Sequence, residues 1–126
     1  KVIVHLILGL PHETREMMSA SVQAIANLPV WGIKLQLLHV LSGTDLAAYY
    51  EKTHFSVFSM DEYCEMIIDC LELLPPEMVI HRITGDGPKD LLIAPMWSTG
   101  KRTVLNQIHR RLKERNTYQG RLATKR

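Results

Sequence analysis

Six histidines are spread over 126 residues, and three of them, His5, His39 and His81, fall in short apolar runs that alternate as strands do. Imidazoles gathered from successive strands could hold a zinc ion. Parity argues against that set, because His5 is out of phase with Val4, Leu6 and Leu8, whereas His39 is in phase with Leu35 and Leu37 and faces the helices unless a bulge intervenes. His5 is therefore the histidine expected to act, with Lys34 and Gln36 on the polar face of the second run, IKLQLLHVL. Arg82 and Asp86 flank the end of a third run and could hold a phosphate or a carboxylate, or pair with each other across the turn. Cys64 and Cys70 lie in one helical stretch with thiols pointing roughly 120° apart, so neither a disulfide nor a metal clip is expected. Free, buried-looking thiols favour a reducing compartment, the cytoplasm.

These groups hang on a regular pattern of elements. Residues 2–8 read as a strand with Val2, Val4, Leu6 and Leu8 on one face and Ile3, His5 and Ile7 on the other. Gly9, Leu10 and Pro11 end it, and a helix is expected from His12 to Leu28 with Met18, Val22 and Ile25 inward, stopped by Pro29. Residues 33–41 form a second strand, and strand, helix, strand implies a parallel pair. Thr44 caps a short helix from Asp45 to Lys52. Ser59-Met60-Asp61-Glu62 is a capping box, Phe58 can staple onto Tyr63, and Tyr63, Met66, Ile67, Cys70, Leu71 and Leu74 form the buried stripe of a helix ended by Pro75-Pro76. A third strand over 78–83, a Gly85–Pro88 turn, a short extended segment from Leu91 to Ala94 and a helix from Lys101 to Arg115 packing through Val104, Leu105, Ile108 and Leu112 follow. The last ten residues, TYQGRLATKR, are expected to be loose. Trp31 is placed between layers, and Trp97 either plugs the open side or stacks on a base.

Apolar residues make up 46% and charged residues 22% of the chain, a balance that suits one globular unit and excludes a disordered or fibrous chain. No apolar run approaches the ~18–20 residues of a membrane span, and no signal-peptide pattern is present, so no membrane partner is expected. Charge is divided unevenly: residues 1–100 hold six Lys+Arg against twelve Asp+Glu, whereas residues 101–126 hold nine against Glu114 alone. Arg102, His109, Arg110 and Lys113 gather on one side of the last helix and could meet nucleic-acid phosphates.

Three strands that begin at the very start of the chain lack edge partners, so neighbours are expected upstream and the isolated chain is expected to self-associate. The expected fold is α/β, the C-terminal portion of a (β/α)6 partial TIM barrel, with its last two β/α units in 1–74 and an extension in 75–126. Its lumen would carry His5, Lys34 and Gln36, and its site would lie at the C-terminal strand ends, in the loops Gly9–Glu13, His39–Thr44 and Thr84–Pro88. Their glycines serve tight turns in any case.

At these loops the sequence resembles a known family. HLILGLPHET is similar to the fifth strand and following GLPG-E/Q-T loop of radical S-adenosylmethionine enzymes, and LQLLHVLSGTDLAAYYE resembles their sixth strand. LLPPEMVIHRITGDGPKDLLIAPMWS and KRTVLNQIHRRL resemble the subgroup related to the elongator catalytic subunit. The resemblance implies a 4Fe-4S cluster that cleaves S-adenosylmethionine to a 5′-deoxyadenosyl radical, the cofactor carrying the chemistry and the protein positioning it. It also implies adenine contacts at Ile7 and Gly9 and at the backbone of Leu38, His39 and Val40. The family's cysteine triplet is absent, and its G-x-I-x-G-x-x-E pattern is broken by His5 at the first glycine and His12 at the acid. The chain alone is therefore expected to be inactive, with its cluster ligands outside it. The substrate pocket is expected around His5, Lys34, Gln36, Arg82 and Asp86, and the substrate to be a nucleic acid such as the tRNA wobble uridine side chain. The alternative is a non-catalytic protein-interaction module with a solvated basic tail.

Overall fold

The computed structural model describes residues 1–84 and 88–123. Strand β1 (Ile3–Leu8) pairs in parallel with β2 (Gly32–Leu37) across the intervening helix α1 (Arg15–Ala26). The expected strand over 33–41 is cut short. After Leu37 the chain leaves the sheet, and Val40–Leu41 form a separate strand, β3, pairing with an antiparallel strand further along. Helix α2 (Asp45–Thr53) follows, capped by the Thr44 hydroxyl on the Ala47 amide at 3.1 Å.

Helix α3 (Met60–Leu73) carries the capping box that its sequence announces: the Glu62 amide donates to Ser59 Oγ at 3.1 Å and the Ser59 amide to Glu62 Oε1 at 3.0 Å. The Phe58 and Tyr63 rings meet at 5.8 Å as the staple requires. Its inward stripe is buried throughout, joined by Cys64 and Ile68. Strand β4 (Val79–Arg82) then pairs with β2, giving the order β1-β2-β4, and β5 (Leu92–Ala94) is the partner of β3. Helix α4 (Lys101–Glu114) packs on α3.

Helices α1, α3 and α4 cover one face of the three-stranded sheet, where Leu8, Ile33, Leu35 and Leu37 meet Met18, Val22, Met66, Ile67, Val104 and Ile108 in a single core. Burying about a dozen such side chains at ~1.5–3 kcal/mol each sets this face as the one that dictates register. A smaller cluster of Leu38, Val40, Ala47, Phe55 and Ala94 joins β3, β5 and α2.

Three further expectations are corrected. Helix α1 starts at Arg15 and not His12, because His12 sits in the left-handed region at φ 66° and Thr14 supplies the N-cap. Trp31 does not pack between layers: it is 39% exposed and lies against the His81 ring at 5.1 Å, with Lys1 above it. The described part of the tail is not loose. The Gly120 and Leu122 amides donate to the Leu71 and Glu72 carbonyls at 2.9 and 2.8 Å, and Gln119 donates to the carbonyls of Pro75 and Met78. Thr117 and Arg121 clamp the buried Glu72 carboxylate.

Candidate functional site

The face of the sheet away from the helices carries Ile3, His5 and Ile7 on β1 and Lys34 and Gln36 on β2, with His5 level with Lys34 and Ile7 with Gln36. Strict alternation along β4 would set Arg82 on the core face with Ile80. A register shift interrupts the alternation: Ile33 pairs with Ile80 but Lys34 pairs with Arg82, so His81 is the extra residue, and Arg82 borders a cavity with Ile83, Leu105, His109 and Leu112 beside α4. His5, Lys34 and Arg82 thus form a row across three parallel strands spaced ~4.8 Å apart. The sequence places these residues near one another but carries no signal for the shift. Asp86, the fifth residue of the expected pocket, lies outside the described residues, as does most of the Gly85–Pro88 turn.

At the C-terminal end of β1, Ile7 is 41% exposed on the open face and offers an apolar surface to a flat ring. Gly9 follows at φ +91°, and a Cβ there would stand 3.0 Å from the Phe58 ring, so glycine is required for both conformation and space. The other expected cofactor contacts are arranged differently from one continuous strand. The Leu38 amide already donates to the Leu8 carbonyl at 3.0 Å, Val40 is fully buried in the smaller cluster and pairs with Ala94, and His39 lies half-buried at the break between them. The three expected histidines consequently occupy an open face, a strand break and a register shift. Trp97 packs against the main core, its indole N–H donating to the Phe58 carbonyl at 2.8 Å and its ring lying 5.7 Å from that of Tyr63.

The cysteines cannot serve a cluster. Both are fully buried in α3, and burial pushes the Cys70 thiol up to about 12 and raises Cys64 as well, the reverse of what a thiolate ligand needs. Among the described residues no group of histidines, cysteines and acids has metal-binding geometry, and no helix is long and apolar enough to cross a membrane.

The basic last helix is less available than its composition suggests. Arg111 binds Asp61 at 2.5 Å and Glu65 at 2.8 Å, Arg115 binds Glu65 at 2.8 Å, and Arg121 binds Glu72 at 2.8 Å, so the acids of α3 neutralise much of it. Of the four residues assigned to nucleic acid, Arg110 pairs with Glu114 at 3.5 Å and Gln107 at 2.7 Å. Arg102, His109 and Lys113 are exposed, and among the described residues Arg102 and Lys113 enter no ion pair.

A second feature at the same end of the fold went unseen in the sequence. A cleft of about 720 Å³ opens between the β1–α1 loop and the segment joining α2 to α3, bordered by His12, Glu13, Arg15, His54, Phe55 and Phe58. The His12 ring nitrogen Nε2 meets the Tyr49 hydroxyl at 2.9 Å, and Tyr49 stacks on Phe55. The only available signal was a histidine where the family loop has glycine.

Residues 30–114 match the Radical_SAM C-terminal domain family. Bacillus subtilis YtqA, an uncharacterized protein, is 49% identical over 120 residues, covering 95% of this chain and 37% of that protein. An uncharacterized Methanocaldococcus jannaschii protein is 32% identical over 121 residues, again 95% of this chain and 38% of its own length. The chain thus spans little more than a third of either relative. Among solved structures, the archaeal Methanocaldococcus infernus Elp3 with an N-terminal deletion superposes with a TM-score of 0.79 at 19% identity, covering 94% of this chain and 28% of that one. At that identity the likeness concerns the fold.

Proposed function

The chain belongs to the Radical_SAM C-terminal domain family, and from that premise we propose that it forms the closing part of a partial (β/α)6 barrel, with β1 and β2 as the last barrel strands and residues 75–126 as an extension. The observation that carries the proposal is the two-sided sheet: one face is sealed by three helices, while the other presents His5, Lys34 and Gln36. A sheet with one polar face left open suits the wall of a lumen.

The enzyme reading needs two cofactors, and the chain fits them unequally. Its buried thiols do not fit the 4Fe-4S cluster, whose ligands would lie outside it. The strand end does fit S-adenosylmethionine, with Ile7 and Gly9 meeting the adenine ring. When bound, that group supplies a carbon-centred radical. This chain's own share is to shape the pocket: Gly9 allows close approach, Phe58 and Trp97 close the outer side, and His5, Lys34 and Gln36 orient the substrate. We assign the substrate to nucleic acid, with the tRNA wobble uridine side chain as the concrete case, and the phosphate contacts to Arg102, His109, Arg110 and Lys113. The experiment is anaerobic reconstitution of the full-length protein followed by reduction. Visible absorption of a cluster and release of 5′-deoxyadenosine are expected, and a protein that assembles no cluster removes the enzyme reading.

One observation favours the second reading, a non-catalytic module with a solvated basic tail: Arg111, Arg115 and Arg121 are already neutralised by acids of α3. In that case tRNA affinity is indifferent to the remaining exposed cations.

A further inference from the structure

The cleft beside the β1–α1 loop contains a carboxylate with an unmet requirement. Glu13 Oε1 is buried and has no hydrogen-bond partner, although the backbone around it is firmly held. The Glu13 amide closes a turn onto the Leu10 carbonyl at 3.0 Å, His12 is fixed at φ 66° with its ring on the Tyr49 hydroxyl, and Thr14 caps α1. The loop that carries Glu13 is thus held in place. A buried, unpaired carboxylate oxygen is costly and calls for a donor, a charged one above all.

The surroundings narrow the donor. Phe55 and Phe58 border the cleft with aromatic rings, and His12 and His54 stand at its rim, both in the left-handed region. Arg15 also borders the cleft and its charge reaches Glu62, but its guanidinium is paired with Asp69 of α3 at 2.5 Å. Glu62, a second carboxylate in the lining, is held below the usual range by the Ser59 amide and hydroxyl and so stays charged. Net negative charge beside aromatic rings suits a flat organic cation, which can donate in the carboxylate plane and lie against the rings.

We propose that this cleft is a binding site for a guanidinium group, which donates to Glu13 and lies against the Phe55 and Phe58 rings. The site opens between the starts of α1 and α3 and includes Gly9 and Phe58, whereas Ile7, Leu38, His39 and Val40 do not line it. It therefore adjoins the proposed cofactor pocket, while guanidinium binding there needs neither a cluster nor a reduction step. The guanidinium could come from a small free compound or from an arginine side chain of a peptide.

The test uses the full-length protein and two isosteric probes, n-butylguanidinium and neutral n-butylurea, followed by calorimetric titration. Saturable binding of the cation at least tenfold tighter than the urea is expected, with at least a tenfold loss in Glu13→Gln. A second measurement needs no variant: carbodiimide coupling of Glu13 to glycine ethyl ester, read by peptide mass spectrometry, should slow when n-butylguanidinium is present. An acetylated, amidated Gly-Arg-Gly peptide distinguishes the sources, since tighter binding than the small probe points to a peptide and weaker binding to a free compound. Equal binding of cation and urea, unchanged affinity in Glu13→Gln, or no protection of Glu13 overturns the proposal. So does the absence of saturable binding, which would mean that another part of the protein already fills the cleft.

Discussion

Replacing Glu72 by alanine should release the segment after α4 while leaving the core folded. Glu72 is only 3% exposed, and its Oε2 accepts from Thr117 Oγ1 at 2.5 Å and from Arg121 Nε and Nη2 at 3.0 and 2.8 Å. Burial by itself would raise its pKa, but the Thr117 and Arg121 hydrogen bonds and the Arg121 and Arg115 charges outweigh burial and hold it below the usual carboxylate range. The Arg121 side chain is 44% exposed and can rehydrate, so its share is discounted. The Thr117 hydroxyl is buried, and the bonds lost around it are worth about 2 kcal/mol in local opening. At 1.36 kcal/mol per factor of ten, that is roughly a 30-fold faster hydrogen exchange. The amides to watch are those of Gly120 and Leu122, which anchor on Leu71 and Glu72. The pH dependence follows from the depressed pKa. The clamp is fully present above the unfolded value of about 4.3 and is lost as pH falls through the lower folded value, so Glu72→Ala should resemble the acid-treated protein and lose that response. Hydrogen-exchange mass spectrometry of wild type and variant decides it. Unchanged exchange over 117–122 would refute the clamp and return the tail to the loose segment its composition suggests.

Gly9→Ala should lower the melting temperature by several degrees, because the residue must keep φ +91° and its Cβ would press on the Phe58 ring, at a combined cost of about 2 kcal/mol; an unchanged thermal melt would contradict that packing. Changing Arg102 and Lys113 together to Gln should weaken tRNA binding by the full-length protein across sequences alike and lower its salt slope by about 1.4–1.8, as measured by filter binding at several ionic strengths. An identical slope would assign that helix face to solvent. The chain on its own should associate through the unpaired edge of β1, which a concentration series in sedimentation reads directly, and a constant monomer mass would show that the edge needs no partner.

What the sequence determined by itself was everything encoded over a few neighbouring residues. The capping box at Ser59 and Glu62, the Thr44 cap, the buried stripe from Tyr63 to Leu74 and the in-and-out alternation of β1 and β2 follow from spacing, because helix and strand periods place side chains without reference to the rest of the fold. The placing of Cys64 and Cys70 in one helix rested on the same geometry, and both lie in α3. Family membership was also legible, since its motifs lie in loops whose glycines and prolines are local features.

Only the tertiary structure decided what depends on residues far apart in the chain. The register shift at His81 brings Arg82 level with Lys34 while β4 keeps Ile80 against the core beside Ile33. The break after Leu37 arises because Leu38 and Val40 bury themselves with Ala47, Phe55 and Ala94, and a local pattern of apolar residues cannot say which of two cores will claim them. Whether a basic tail is free or neutralised is a question of what lies beside it, and here Asp61, Glu65 and Glu72, some 45–50 residues away, hold three of its arginines. Strands and caps are written in short-range periodicity, whereas pairing, burial and charge balance are set by contacts that close only when the chain folds.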